Sequence, residues 1–204
     1  MLEIKSDMLI SSLYDYFRFK RQMICTDEFA PYWANYRADF VALNEKGFLY
    51  EIEVKVSKQD LIINETKKNK WDFLPFGREV INTSYGEKLL VEDLKKKENF
   101  NKKIQMYEPN YFYYCVPDYL EETAKNFIKE FNPNFGLIIF NTEKANNTLE
   151  IKNKINFNAD LLRVAKKPKK LNKFPKDFSF FYEISSRLSS SRASYFSKKT
   201  HLFR

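Results

Sequence analysis

The sequence predicts an α/β domain, and three observations carry that prediction. A pair of strand-like runs joined by a short glycine turn lies within residues 36–57. Two further short apolar runs, Tyr111–Val116 and Gly136–Phe140, read as strands. Segments with helical spacing of apolar residues stand before, between and after these strands. The chain has 204 residues, enough for one ordinary domain with a sizeable core, and its 20 Phe and 13 Tyr mark it as a folded protein.

Taken in order, Ser6 is placed to N-cap a helix over residues 7–20, with Ile10, Leu13, Tyr14 and Phe17 as its apolar stripe. The hairpin follows, as Arg37–Leu43 and Leu49–Val56. A loop of Glu45, Lys46 and Gly47 joins them, with Gly47 in the left-handed position. Gln59–Lys70 reads as a charged helix. Residues 75–110 hold Pro75, Gly77, Gly86 and Pro109, and read as a long excursion with one short helix near 87–98. Pro117 ends the Tyr111 strand, Leu120–Phe131 has helical spacing, and Leu149–Ile155 reads as a last strand. Phe174-Pro175 opens a final helix with Phe178, Phe181, Ile184, Leu188 and Tyr195 on one face. The domain organisation expected is one domain over 1–204, with an insertion at about 72–108 and a C-terminal helical extension at about 160–204.

The hairpin carries the chemistry. Alternate strand residues point to opposite faces, so Glu51, Glu53 and Lys55 share one face and Ile52, Val54 and Val56 the other, core-facing one. Pairing Asn44 with Phe48 and counting back sets Phe40 opposite Ile52, Asp39 opposite Glu53 and Arg37 opposite Lys55. Two opposed carboxylates repel, which is tolerable if one is protonated or if a cation sits between them. A hard divalent ion with oxygen ligands answers that need. In a chain that is 30% charged, the same triplet is also compatible with a solvated strand face.

At these residues the chain resembles the PD-(D/E)xK nuclease superfamily, and more narrowly the small MmcB-type DNA-repair proteins and their phage-encoded relatives. The resemblance runs through Tyr16–Gln22, Arg37–Leu43, Tyr50–Asp60, Tyr111–Leu120 and Phe135–Ile139, with Glu53-Val54-Lys55-Val56-Ser57 its most specific part. Ala38 stands where the superfamily name has proline, and residues 72–108 are a longer, lysine-rich insertion than the repair proteins carry. The resemblance implies a restriction-endonuclease-like core, a mixed central sheet flanked by helices. It implies Mg²⁺- or Mn²⁺-dependent hydrolysis of phosphodiester bonds in DNA, with Asp39, Glu53 and Lys55 as catalytic residues. Asp39, Glu53 and the Val54 carbonyl would hold the metal. A fourth acid usually comes from the first helix, where Asp7 is the match and Glu28 the rival; helix-dipole complementarity also accounts for Asp7. Ser57 and Asp60 follow the family pattern, and Asp60 equally suits a helix start. A catalytically silent nucleic-acid-binding accessory protein on the same fold is the alternative.

The remaining features bear on partners. Net charge is +8, which favours a polyanionic partner and equally suits a solubilising surface. The resemblance implies DNA more than RNA, and cutting both strands of a duplex would suit a homodimer. Lys67, Lys68 and Lys70, and the cluster Lys166, Lys167, Lys169 and Lys170, are candidate backbone contacts; solvated helix face and surface linker are the plainer accounts. Tyr111, Tyr113 and Tyr114 suit either base stacking or a core strand. Cys25 and Cys115 provide neither a disulfide framework nor zinc spacing, and His201 is the sole histidine, which argues against histidine-based metal sites and Ser-His triads. No stretch is long and apolar enough to span a bilayer and the N-terminus lacks a signal-peptide pattern, so a cytoplasmic protein without a membrane partner is expected.

Overall fold

In a computed structural model the chain is described over residues 3–30, 37–65, 108–152, 158–178 and 180–189. The fold is α/β: a six-stranded mixed sheet flanked by helices, consistent with the nuclease-like core. Strands β1 (Ile24–Phe29), β2 (Ala38–Leu43), β3 (Leu49–Val54), β4 (Tyr111–Pro117), β5 (Gly136–Phe140) and β6 (Leu162–Lys166) lie in sequential order across the sheet. β1, β2 and β3 are antiparallel, β3, β4 and β5 parallel, and β6 returns antiparallel to β5.

The hairpin register is the expected one. Phe40 pairs with Ile52 and Leu43 with Leu49, and the loop closes through Asn44 N–H to Phe48 O (3.2 Å) and Gly47 N–H to Asn44 O (3.0 Å). Gly47 has φ +76, and a Cβ there would lie 2.9 Å from Lys176 O, so the turn needs glycine twice over.

Helix α1 (Ser6–Tyr14) continues into a π-helical turn, Asp15–Lys20. Ser6 lies inside the helix and Lys5 takes the N-cap position without a side-chain bond, so the Ser6 cap is not formed. Leu9, Leu13 and Phe17 bury fully against Phe40, Ile52, Tyr113, Cys115 and Phe140 on one face of the sheet. Full burial of each such side chain contributes about 1.5–3 kcal/mol. Helix α2 (Glu121–Phe131) follows a 3₁₀ turn at Asp118–Leu120 and covers the other face, where Leu61, Phe112, Tyr114, Val116, Leu137 and Ile139 pack.

Several expectations are corrected. Residues 142–152 form helix α3 (Thr142–Lys152), so the strand expected from Leu149 does not begin there; 153–157 lie outside the described residues. Residues 162–166 are strand β6, so the region from 160 onward is not a purely helical extension. Strand β1 was not anticipated, because Ile24–Phe29 mixes polar and apolar residues as an edge strand does. The last helix, α4 (180–189), buries Phe180 and Ile184 with Phe181 and Leu188 partly covered, whereas Phe178 is 83% exposed. Tyr195, the expected helix near 87–98 and the insertion at about 72–108, apart from residue 108, fall outside the described residues. Among the described residues no helix is long and apolar enough to cross a membrane.

A second layer of hydrogen bonds ties the segment 171–176 to the starts of β3 and β4. Asn110, fully buried, accepts from Leu49 N–H (2.7 Å) and donates to Asn172 O (2.7 Å) and Phe174 O (2.8 Å). Lys176 N–H reaches Gly47 O (2.7 Å), and its buried ammonium donates to Glu108 O.

Candidate active site

The candidate site forms where β3 ends. Asp39 projects from β2, and its Oδ2 accepts the Val54 N–H at 2.9 Å. The backbone of β3 therefore fixes the carboxylate next to Glu53, as the register anticipated. Lys55, just past β3, has its N–H on Cys115 O (3.0 Å), so the pairing with β4 holds the residue in line.

The Lys55 ammonium is the focus of the site. It lies 3.0 Å from Glu53 Oε2 and 3.1 Å from Glu65 Oε2, with Asp39 Oδ2 and Asp60 Oδ2 each at 3.8 Å. Four carboxylates converging on one point repel one another, and Lys55 is a cation that relieves the repulsion. Glu53 and Glu65 are 0% exposed and Lys55 3%, whereas Asp39 and Asp60 are 37% and 40% exposed. The face of Glu51, Glu53 and Lys55 is therefore buried, which excludes the solvated-face reading. β3 is a central strand, and the helical segment over 58–65, with Leu61 inserted beside Tyr114, covers that face.

Glu65 and Tyr114 extend the network. The Tyr114 hydroxyl donates to Glu65 Oε1 at 3.1 Å, and its pKa is pushed well above the ordinary value by burial, with the Glu65 and Glu53 charges adding to it. Tyr114 thus stays a donor at physiological pH. Sequence reasoning missed Glu65, although it follows Leu61 by one helical turn and so shares its buried face. Ser57 starts this segment by accepting the Asp60 N–H (3.2 Å), so Asp60 serves both as a helix-start residue and as a neighbour of Lys55.

A cavity of about 390 Å³ opens on this cluster. Ser6, Asp7 and Ile10 from α1, Asp27 and Glu28 from β1, and Asp39, Val54, Lys55, Val56 and Asp60 line it. Both candidates for a further acid, Asp7 and Glu28, are thus on its wall. Asp27 is an addition to the expected set. The Tyr14 hydroxyl donates to Asp27 Oδ1 (2.8 Å) and accepts the Asp27 N–H (3.0 Å), which anchors this carboxylate to α1. Burial first, then Asp27, raises the Tyr14 pKa, so the hydroxyl remains protonated. Glu28 has φ +46, a left-handed backbone uncommon for a side-chain-bearing residue. Asp27 pairs with Phe40 and Phe29 with Ala38, a register that brackets Glu28 opposite Asp39.

The donors are all hard oxygens, which suits Mg²⁺ or Mn²⁺ in chemical type. Their present arrangement has the Lys55 ammonium in the midst of the carboxylates. With the ammonium between them, these carboxylates are turned to Lys55 and do not form a metal-holding set among the described residues.

Of the candidate backbone contacts, the described ones, Lys166, Lys167, Lys169 and Lys170, do not line this cavity. Lys169 N–H bonds Asn134 O (2.8 Å), and the Lys170 ammonium sits 3.7 Å from the Phe48 ring centre, both before the starts of parallel strands. At about 3.3 Å per residue, Phe48 lies roughly 20 Å along β3 from Lys55. Lys166 is the end of β6, and its ammonium donates to Pro133 O and Phe135 O at 2.6 Å each. Burial, then Lys169, lowers its pKa. It closes the turn into β5 and is spent structurally, whereas Lys167 is exposed. Lys67, Lys68 and Lys70 lie outside the described residues. Tyr113 and Tyr114 are buried core residues, leaving only Tyr111 part-exposed. Both cysteines are buried free thiols, and burial pushes the Cys25 pKa up to about 12.

No family model matches the chain, and neither does any curated protein. Its structure is similar to that of a protein of unknown function from Silicibacter pomeroyi, with a TM-score of 0.44 and 12% identity over 96% of this chain and 91% of that one.

Proposed function

We propose that the chain is a metal-dependent nuclease of the PD-(D/E)xK kind that hydrolyses phosphodiester bonds in DNA. One observation carries the reading: the Lys55 ammonium, 3.0 Å from Glu53 and 3.8 Å from Asp39, is held at the wall of a cleft at the end of β3. This unites the three residues of the motif on an ordered strand end, where a substrate phosphate can approach through Asp39.

Asp39 on the cavity wall and Glu53 buried behind it would hold the divalent ion, with the Val54 carbonyl and the carboxylate of Asp7 as further oxygen donors. When bound, such an ion supplies Lewis acidity and lowers the pKa of a water. Asp39 is oriented by the Val54 N–H and is open enough to meet solvent and substrate. Lys55 places a fixed positive charge where negative charge accumulates as water oxygen bonds to phosphorus and the ester oxygen leaves. Glu65, itself held by the Tyr114 hydroxyl, braces Lys55 from behind, so its ammonium needs little reorganisation during the reaction.

A second reading has a specific observation in its favour. Glu53 is 0% exposed and Lys55 only 3%, so the motif also suits a silent module that uses the ion pair to hold the fold while binding nucleic acid. The buried thiols of Cys25 and Cys115 suit a cytoplasmic setting under either reading.

The test is cleavage of single-stranded, duplex and branched DNA and of RNA, with Mg²⁺, Mn²⁺ or EDTA. We expect cleavage that requires metal and falls to background in Asp39→Ala. Absence of cleavage from folded protein, together with no heat of Mg²⁺ or Mn²⁺ binding, would replace the nuclease with the silent module.

A further inference from the structure

A second cavity, of about 500 Å³, adjoins the candidate active site. Glu28 lines both cavities, so they are neighbours across one side chain. The second is walled by Arg37 before β2 and by Tyr182 and Arg187 of α4, with Glu183 and Ser186 beside them. Its chemistry differs from that of the first. Arg37 Nη1 and Arg187 Nη2 approach the same oxygen, Glu28 Oε2, at 3.5 and 3.8 Å. Those separations exceed the roughly 2.7–2.9 Å of a tight charge-assisted bond. All three side chains are about half exposed, so the contacts are weak and exchangeable.

An aromatic surface continues from this cavity. α4 buries Phe180 and Ile184, with the Phe180 ring 5.4 Å from that of Phe29. Phe178 and Tyr182, offset by two positions, therefore face outward and are 83% and 69% exposed. An exposed ring beside two guanidiniums, Tyr182 next to Arg37 and Arg187, offers a π-face for an unpaired base and charges for a phosphate backbone. Paired bases inside a duplex do not present their faces to such a surface.

We propose that this second cavity seats the substrate strand next to the cleavage position. Arg37 and Arg187 take a backbone phosphate in place of Glu28, Tyr182 stacks on an unpaired base, and the favoured substrate is single-stranded nucleic acid. The inference deepens the nuclease reading and rests on it only for what happens in the first cavity. Glu28 acts as the internal competitor of the phosphate: it holds both guanidiniums in the free protein, and its removal frees them.

The experiment is fluorescence anisotropy with a labelled oligothymidylate strand and a matched duplex, in EDTA so that cleavage plays no part. Arg37→Ala and Arg187→Ala should each flatten the slope of log affinity against log salt by about 0.7. Tyr182→Ala should weaken single-strand binding roughly tenfold, while Tyr182→Phe, which keeps the ring, binds like the parent chain. Glu28→Gln should bind the strand more tightly, a change that loss of folding does not produce. Unchanged affinity and salt slope in both arginine variants, equal loss in Tyr182→Phe and Tyr182→Ala, or a preference for duplex would each overturn the proposal. Strand binding through these residues without any cleavage would leave this site standing and remove the nuclease. Cleavage by the parent chain with unaltered binding by the arginine variants would do the reverse.

Discussion

Replacing Lys55 by Met tests how the site is held together. The substitution keeps most of the side-chain volume and removes only the charge. In the folded protein the ammonium meets Glu53 at 3.0 Å and Glu65 at 3.1 Å, both fully buried. At an effective dielectric of about 20, each such contact is worth roughly 5 kcal/mol of attraction before desolvation is counted. Desolvation of three charged groups offsets much of that gain. Taking away the cation removes the charge that both buried carboxylates contact, and breaking a buried pair in this way costs about 3–5 kcal/mol. Asp39 and Asp60, at 3.8 Å and over a third exposed, contribute far less. For a chain of this size each kcal/mol moves Tm by about 2–4 °C, so a drop of roughly 6–20 °C is expected. The polar pattern of β3 by itself would suggest a harmless surface change; the burial reverses that expectation.

The assay is urea unfolding followed by circular dichroism, with cleavage measured at a temperature where both proteins are folded. Adding Glu65→Gln to Lys55→Met should restore about 1–3 kcal/mol, since it removes one of the two opposed charges. Wild-type stability in Lys55→Met, or strict additivity in the double variant, would refute the account of Lys55 as the charge that holds this cluster.

Two other perturbations probe the frame around the site. The Lys176 pKa is lowered to about 8 by burial, with Glu108, Asp177 and Glu51 acting in the opposite direction. A lowered lysine pKa means that the unfolded chain binds more protons above about pH 8, so stability should rise with pH from there towards the unfolded value near 10.5. Relative to Lys176→Met, the parent should gain roughly 3 kcal/mol across that window, read as Tm against pH; a difference that does not change with pH would contradict the burial. Asn110→Ala removes one acceptor and two donor contacts in a buried position and should cost about 2–4 kcal/mol by chemical denaturation, with faster proteolysis near residues 171–176. An unaltered unfolding midpoint would show that this clamp adds nothing.

What the sequence determined by itself is what depends on neighbours along the chain. The period of two on Leu49–Val54 put Glu51 and Glu53 on one face, and Gly47 set the hairpin register that aligns Asp39 with Glu53. Both follow from backbone sterics and pairing within a few residues, and both stand in the structure. Gly136–Phe140, apolar throughout, was legible as a buried strand for the same reason. β1 and β6 were not, because edge strands carry mixed side chains and a weak periodic signal. The tertiary structure alone decided that the polar face of β3 is covered. That depends on Leu61 and Glu65 folding back over it, and on Tyr114 arriving from the neighbouring parallel strand, 61 residues beyond its partner Glu53. It also decided that Asp27 reaches the cleft, and that the basic run at Lys166–Lys170 lies at the far ends of the strands. Local periodicity records which residues share a face; what packs against that face is set by chain closure over long separations, which no local pattern encodes.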